Sequence, residues 1–154
     1  MAYWLMKSEP EECSIDDLAG MPRQTVPWFG VRGWQARNFM REDMRVGDGV
    51  LFYHSSCAVP GIYGIAEVSS EPYPDETQFD PKNKYYDEKS KRDTPRWYLV
   101  DVKLVKKTRV LSLAEMRAAP QLASMQVLRR GNRLSITPVT PEEWREVMKL
   151  LETG

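Results

Sequence analysis

Three short runs hold the residues best equipped for chemistry. In the first, Trp28, Phe29, Arg32, Trp34, Gln35, Arg37, Asn38 and Phe39 set aromatic faces beside amide and guanidinium groups. Rings offer a π-face for stacking and amides read the edge of a heterocycle, which is the equipment for holding an unstacked base. The same residues admit a plainer use, with Trp34 and Phe39 anchoring a helix to the core and Arg37, Arg41 and Arg45 forming its solvated face. Trp28, just after a proline in a loop, is the better pocket wall. In the second run, Lys7, Ser8 and Glu9 place a cation, a hydroxyl and a carboxylate before Pro10, where they either orient a polar ligand or make a surface ion pair of little worth. The third run is His54, the only histidine, followed by Ser55, Ser56 and Cys57. A couple of His54 with Ser55 or Cys57 would activate a nucleophile, but neighbours on a strand point to opposite faces, so His54 and Ser55 share none while the strand lasts. A strand-end histidine held by a hydrogen bond, or one lining a pocket, is the other reading.

What is missing narrows the chemistry further. The chain has no glycine-rich phosphate loop, no cysteine or histidine pair at metal-ligand spacing and no G-x-S-x-G elbow. With one histidine, most general-base schemes fall away, and the pattern points to a binding module rather than an enzyme. Two alternatives stay open: a nucleotide or amide hydrolase using His54, and a pocket for a free small metabolite. Lys plus Arg and Asp plus Glu number 22 each, so the molecule has no long-range positive field of the kind that drives non-specific nucleic-acid binding. Any such contact is local. The basic residues do gather in two patches, Arg32, Arg37, Arg41 and Arg45, and Arg129, Arg130 and Arg133.

These runs need elements to position them. Tyr3 to Ser8 alternates as a first strand ended by Pro10. Ser14 with Asp17 caps a short helical turn through Leu18, and Met21 to Pro27 is a loop. Trp34, Ala36, Phe39, Met40 and Met44 recur at helical spacing between Gly33 and Gly47, which lines Arg37, Arg41 and Arg45 along one side. Val50 to His54 is apolar on both faces, and Gly61 to Val68 follows a Pro60-Gly61 turn, so the two form an antiparallel pair within a sheet. Trp97 to Lys106 adds a strand with Tyr98, Val100, Val102 and Leu104 on one face.

Between Glu71 and Pro95, prolines and dense charge leave no periodicity. A connection that long is functional or mobile, and its Tyr73, Tyr85 and Tyr86 could cover a site. Ser112 with Glu115 caps a helix, Pro120 opens another through Leu128, and Leu134 to Thr137 is a short strand. Thr140, Pro141 and Glu143 start a last helix packed through Trp144, Val147, Met148 and Leu151. Strands in the middle, helices between and after them, and no βαβ alternation predict an α+β fold whose largely antiparallel sheet curls toward a barrel.

At 154 residues the chain has the length of one domain, residues 1–154, able to bury roughly 70% of its unfolded surface. Its 42% apolar and 29% charged residues fit neither a disordered nor a membrane protein. Met1 to Pro10 carries no basic head and apolar run of an export signal. Cys13 and Cys57 are too few for a disulfide framework and read as plain thiols in a reducing, cytoplasmic setting.

Several motifs then fall into a recognisable order: Tyr3-Trp4-Leu5-Met6-Lys7-Ser8-Glu9-Pro10, Gly30-Val31-Arg32, Gln35-Ala36-Arg37-Asn38-Phe39, Val46-Gly47-Asp48, Phe52-Tyr53-His54-Ser55, and Arg133-Leu134-Ser135 before Pro138-Val139. Together they resemble the EVE domain over nearly the whole chain. The resemblance implies a PUA-like fold, a small barrel with flanking short helices and a C-terminal helix, related to the YTH domains that recognise methylated adenine in RNA. It implies a nucleic-acid partner, a pocket for a modified base (a modified cytosine in DNA or a modified RNA base), and no metal or organic cofactor. Carried over position by position, it assigns the pocket to Lys7, Ser8, Glu9, Trp28, Val31, Arg32, Gln35, Asn38, Phe52, Tyr53, His54 and Ser55. On this reading Trp28 and Tyr53 wall the base and Ser8, Gln35, Asn38 and His54 bond its edge. Phosphate falls to Arg32, Arg37, Arg41, Arg129, Arg130 and Arg133. This chain departs from the family pattern at Phe29, where an Asp is usual, and at Gly33 and Trp34, where Asn-Tyr is usual, so the donors and acceptors near the pocket differ.

Overall fold

The computed structural model describes residues 1–153. In chain order its elements are Tyr3–Ser8 (β1), Pro10–Cys13 (α1), Ile15–Ala19 (α2), Thr25–Pro27 (β2), Trp34–Asn38 (α3), Gly49–His54 (β3), Gly61–Val68 (β4), Tyr73–Pro74 (β5), Tyr98–Leu99 (β6), Asp101–Ser112 (β7), Leu113–Ala118 (α4), Ile136–Val139 (β8) and Pro141–Glu152 (α5). Six strands form a curled mixed sheet in the order β2-β7-β4-β3-β1-β8, and β5 pairs with β6 apart from it. The expected β3–β4 antiparallel pair is present. One pair runs otherwise: β1 lies parallel to β3, with Ser8 beside His54.

Alternation explains the two layers. In β3, Val50 and Phe52 join Trp4, Met6 and Val102 in a cluster under Ile15, Leu18, Met40 and Met44. Leu51 and Tyr53 point the other way, joining Leu5 and Leu111 beneath Met116, Leu122 and Val147. A strand buried on both faces must be apolar at successive positions, as β3 is. Three capping boxes start helices where the sequence sets them, Ser14 with Asp17, Ser112 with Glu115 and Thr140 with Glu143. Each satisfies two backbone donors that a helix start would otherwise strand.

Several boundaries differ from expectation. The chain from Met21 to Pro27 contributes the edge strand β2, paired with β7. The strand expected to end at Lys106 continues to Ser112, bent by register shifts against β4. Pro120 opens only a 3-10 turn, Pro120–Leu122, and a second turn spans Gln126–Leu128. The short strand expected from Leu134 begins at Ile136, where its partner Met6 lies. The helix expected to reach Met44 widens into a π-helix over Phe39–Asp43 and ends there, which leaves Arg45 beyond it and off the line expected with Arg37 and Arg41. Just beyond it, buried Asp48 accepts hydrogen bonds from the Trp4 indole, the Arg45 backbone and the Ala2 backbone, a structural use for the Val46-Gly47-Asp48 motif.

Candidate binding site

The parallel pairing of β1 with β3 ends both strands at one place, and the chain leaves it as Glu9 into α1 and as Ser55 into a loop. With residues 26–33 and a loop carrying Lys84 and Tyr85, these exits enclose a cavity of about 660 Å³. That volume is in the range of sites that hold a small molecule.

Trp28 forms a wall that is also core. Its backbone N–H donates to the Val100 carbonyl at 3.0 Å, and its ring meets Phe52 edge-on at 5.6 Å. Tyr85 forms another wall, and the chain passes it at Gly30, whose φ is +84° and where an added Cβ would lie 2.6 Å from the Tyr85 ring. Only glycine meets both conditions cheaply. Asp75, 1% exposed, fixes this wall: it accepts from the Gly30 N–H at 2.8 Å, the Thr77 N–H at 2.9 Å, the Thr77 hydroxyl at 2.6 Å and Arg32 Nη1 at 3.2 Å. Arg32 also donates through Nη2 to the Tyr85 carbonyl at 2.7 Å and to Thr77 Oγ1 at 3.0 Å. The Tyr85 hydroxyl donates to Glu12 at 2.7 Å, and Lys84 pairs with the same carboxylate. Those partners, Lys84 first, hold the Glu12 carboxyl below its ordinary range.

The mouth is polar and open to new partners. Ser8 donates its hydroxyl hydrogen to the Cys13 carbonyl at 2.6 Å, which leaves its lone pairs free to accept. Among the described residues, the side chains of Lys7, Glu9, Ser55, Ser56, Arg133 and Ser135, all lining the cavity, make no hydrogen bond or ion pair. Burial lowers the pKa of the Lys7 ammonium from its ordinary value. Burial, with the Asp17 charge adding, pushes the Cys13 thiol up to about 11, so it stays protonated and a poor nucleophile.

Of the residues expected at the site, Lys7, Ser8, Glu9, Trp28, Val31, Arg32, Ser55 and Arg133 come together on the cavity. Gln35, Asn38, Phe52, Tyr53 and His54 do not line it. Alternation turns Tyr53 to the opposite layer from Trp28, and Phe52 is fully buried beneath Trp28. Gln35 is exposed on α3, while Asn38 Oδ1 accepts from Arg37 Nε and Nη2. His54 is 5% exposed, stacks on Tyr63 at 3.8 Å and accepts the Ile15 N–H on Nε2 at 3.1 Å. Burial lowers its pKa, against the opposing charges of Asp16 and Asp17.

The expected phosphate-binding arginines divide in the same way. Arg32 is committed to Asp75, Thr77 and Tyr85, and Arg37 donates to the Arg96 carbonyl while lying 4.7 Å over the Trp34 ring. Arg41 pairs with Glu42 at 3.1 Å. Arg129, Arg130 and Arg133 are exposed and make no side-chain hydrogen bond or ion pair among the described residues. Residue types and spacing give no sign of Glu12, Lys84 and Asp75, whose roles depend on partners more than forty residues away. Tyr85 is readable from them only as a cover.

Comparison with known proteins bears on this arrangement. The pattern defining the EVE domain matches residues 2–150. Human thymocyte nuclear protein 1 is 44% identical over 169 residues, covering 98% of this chain and 74% of that protein. A crystal structure of a Pseudomonas putida protein superposes with a TM-score of 0.92 at 47% identity, covering 97% of this chain and 99% of that one. A crystal structure of human THYN1 protein in complex with 5-methylcytosine-containing DNA superposes with a TM-score of 0.94 at 43% identity, covering 100% of this chain and 99% of that one.

Proposed function

The chain belongs to the EVE domain family, and from that premise we propose that it binds nucleic acid and receives one modified base, a C5-substituted cytosine of DNA, in the cavity between Trp28 and Tyr85. The observation that carries the reading is the pairing of an aromatic wall with unpaired polar groups at the mouth. A cytosine edge presents an amino donor and two acceptors. Glu9 supplies an acceptor for the amino group, and Lys7 with the Ser55 hydroxyl supplies donors for the ring nitrogen and carbonyl. A C5 methyl group needs an apolar seat, which Val26 and Val31 offer beside Trp28. Phosphate binding falls to Arg129, Arg130 and Arg133, the arginines with no internal partner among the described residues. DNA is favoured over RNA because the 43% identical human relative was crystallised with 5-methylcytosine-containing DNA.

The chain acts as a reader rather than a catalyst. A hydrolase using His54 would need a free imidazole lone pair facing the cavity, whereas Nε2 is bonded to the Ile15 N–H and the ring is stacked on Tyr63. The free thiols Cys13 and Cys57 suit a reducing compartment, consistent with a cytoplasmic setting. No helix among the described residues is long and apolar enough to cross a membrane.

Extruding a base costs a few kcal/mol and stacking returns about 1–3 kcal/mol, so with zero net charge the affinity is on the order of micromolar. The test is a binding screen at fixed salt against matched DNA and RNA strands, single and double, carrying cytosine, 5-methylcytosine, 5-hydroxymethylcytosine or methylated adenine. Trp28→Leu, checked for folding by circular dichroism, runs alongside. Preference for modified cytosine in DNA that weakens in this variant is the expected result. Equal binding of all strands, or binding that ignores Trp28, refutes it.

A further inference from the structure

Phe29 stands at the rim of the cavity without belonging to the core. It is 42% exposed, while the neighbouring Trp28 is 8% exposed. Its backbone is nevertheless held on both sides and at its own N–H: Trp28 N–H to the Val100 carbonyl, Phe29 N–H to the Pro27 carbonyl at 2.9 Å, and Gly30 N–H to buried Asp75. A large apolar ring is therefore displayed to solvent from a fixed backbone at the cavity rim. Trp34 is also exposed, but one stacked neighbour, Trp97 at 4.5 Å, and the Arg37 guanidinium already occupy its ring. Phe29 has one aromatic neighbour among the described residues, Tyr85, edge-on at 5.9 Å, and no stacked ring or cation lies over it.

We infer that Phe29 is a wedge that enters the base stack of a duplex and fills the gap left when the target base moves into the cavity. Resting on the base-binding reading above, this makes double-stranded DNA the substrate form for which the chain is built. The physical case is that an extruded base leaves a hole whose neighbours are unstacked on one side, and an apolar side chain inserted there restores part of that stacking. The ring must sit beside the pocket that takes the base and must not depend on a flexible loop, and Phe29 meets both conditions. A single strand leaves no such hole, so the residue matters far less there.

The experiment measures Kd for one 5-methylcytosine-containing strand, alone and paired with its complement, using wild-type protein, Phe29→Ala, Phe29→Leu and Trp34→Ala. Phe29→Ala is expected to weaken duplex binding by about tenfold more than single-strand binding, as removal of one stacked ring would. Phe29→Leu keeps an apolar wedge and is expected to recover most of the difference, and Trp34→Ala is expected not to reproduce it. Equal weakening on both forms in Phe29→Ala, with wild-type binding intact, overturns the wedge and leaves the base-binding reading standing. Failure of the wild type to bind either form overturns both.

Discussion

Replacing Asp75 tests whether the cavity wall is assembled as described. This carboxylate is 1% exposed and receives four hydrogen bonds, from the Gly30 and Thr77 amides, the Thr77 hydroxyl and Arg32. In Asp75→Ala the two amides are left without an acceptor in a place water reaches poorly, at about 1–3 kcal/mol each. The Arg32 side chain is 23% exposed and keeps its bonds to the Tyr85 carbonyl, so its share is discounted to well under the buried-pair value. The total is about 3–5 kcal/mol. Asp75→Asn retains one acceptor oxygen and is expected to cost about 1–2 kcal/mol. Urea unfolding reads both, as a fall in midpoint with the slope unchanged. A double cycle with Arg32→Ala isolates the pair, and a coupling of about 1 kcal/mol or more is expected. The reasoning fails if Asp75→Ala costs under about 1 kcal/mol, or if Asn and Ala are equally damaging.

Three further outcomes are expected. Gly30→Ala combines a positive φ with a Cβ 2.6 Å from the Tyr85 ring, so thermal unfolding should show a destabilisation of about 1–3 kcal/mol, whereas alanine at Gly33, which has nothing within 4 Å and no positive φ, should be far milder. His54 is held neutral by burial, so its folded pKa lies below the unfolded value near 6.5; its contribution is present above that value and drains away as pH falls toward the folded pKa. His54→Gln, which can still accept the Ile15 N–H, should flatten stability against pH in the acid range, and an unchanged profile would remove His54 as the cause. Replacing Arg129 and Arg133 by alanine should reduce the slope of log affinity against log salt by about one for each phosphate that is no longer neutralised, while Arg37→Ala leaves that slope alone.

The chain's local signals are readable wherever the physics is local. A Ser or Thr three residues before an acid at a helix start satisfies backbone donors within one turn, and the boxes of Ser14, Ser112 and Thr140 all form. Alternation and continuous apolarity mark β1, β3 and β4 for the same reason. Arg32 is not readable, because a guanidinium that holds phosphate and one that holds a carboxylate 43 residues away are the same letter in a sequence. The stretch from Glu71 to Pro95 lacks periodicity since a side chain organises it: buried Gln78 donates to the Asp75 and Trp97 carbonyls and accepts from the Arg96 and Trp97 amides. Tyr53 shows a subtler failure. It shares a motif with Ser55, yet it faces the layer away from the cavity, where Leu51 also points.

The inner place of β1 in the sheet, with β8 on one side, shapes how the molecule comes into being on the ribosome. β1 is made early but lies inside the sheet, between β3 and β8, and Met6 finds Ile136 only after nearly all the described chain has emerged. Until then its apolar flank, Leu5 and Met6, has an empty lane beside it. Such long-range pairing slows folding and leaves a sticky edge in the meantime. Chains stalled before residue 136 should therefore be protease-sensitive and chaperone-dependent, with the cavity mouth the last part to assemble, because Arg133 and Ser135 sit on the segment that closes that lane.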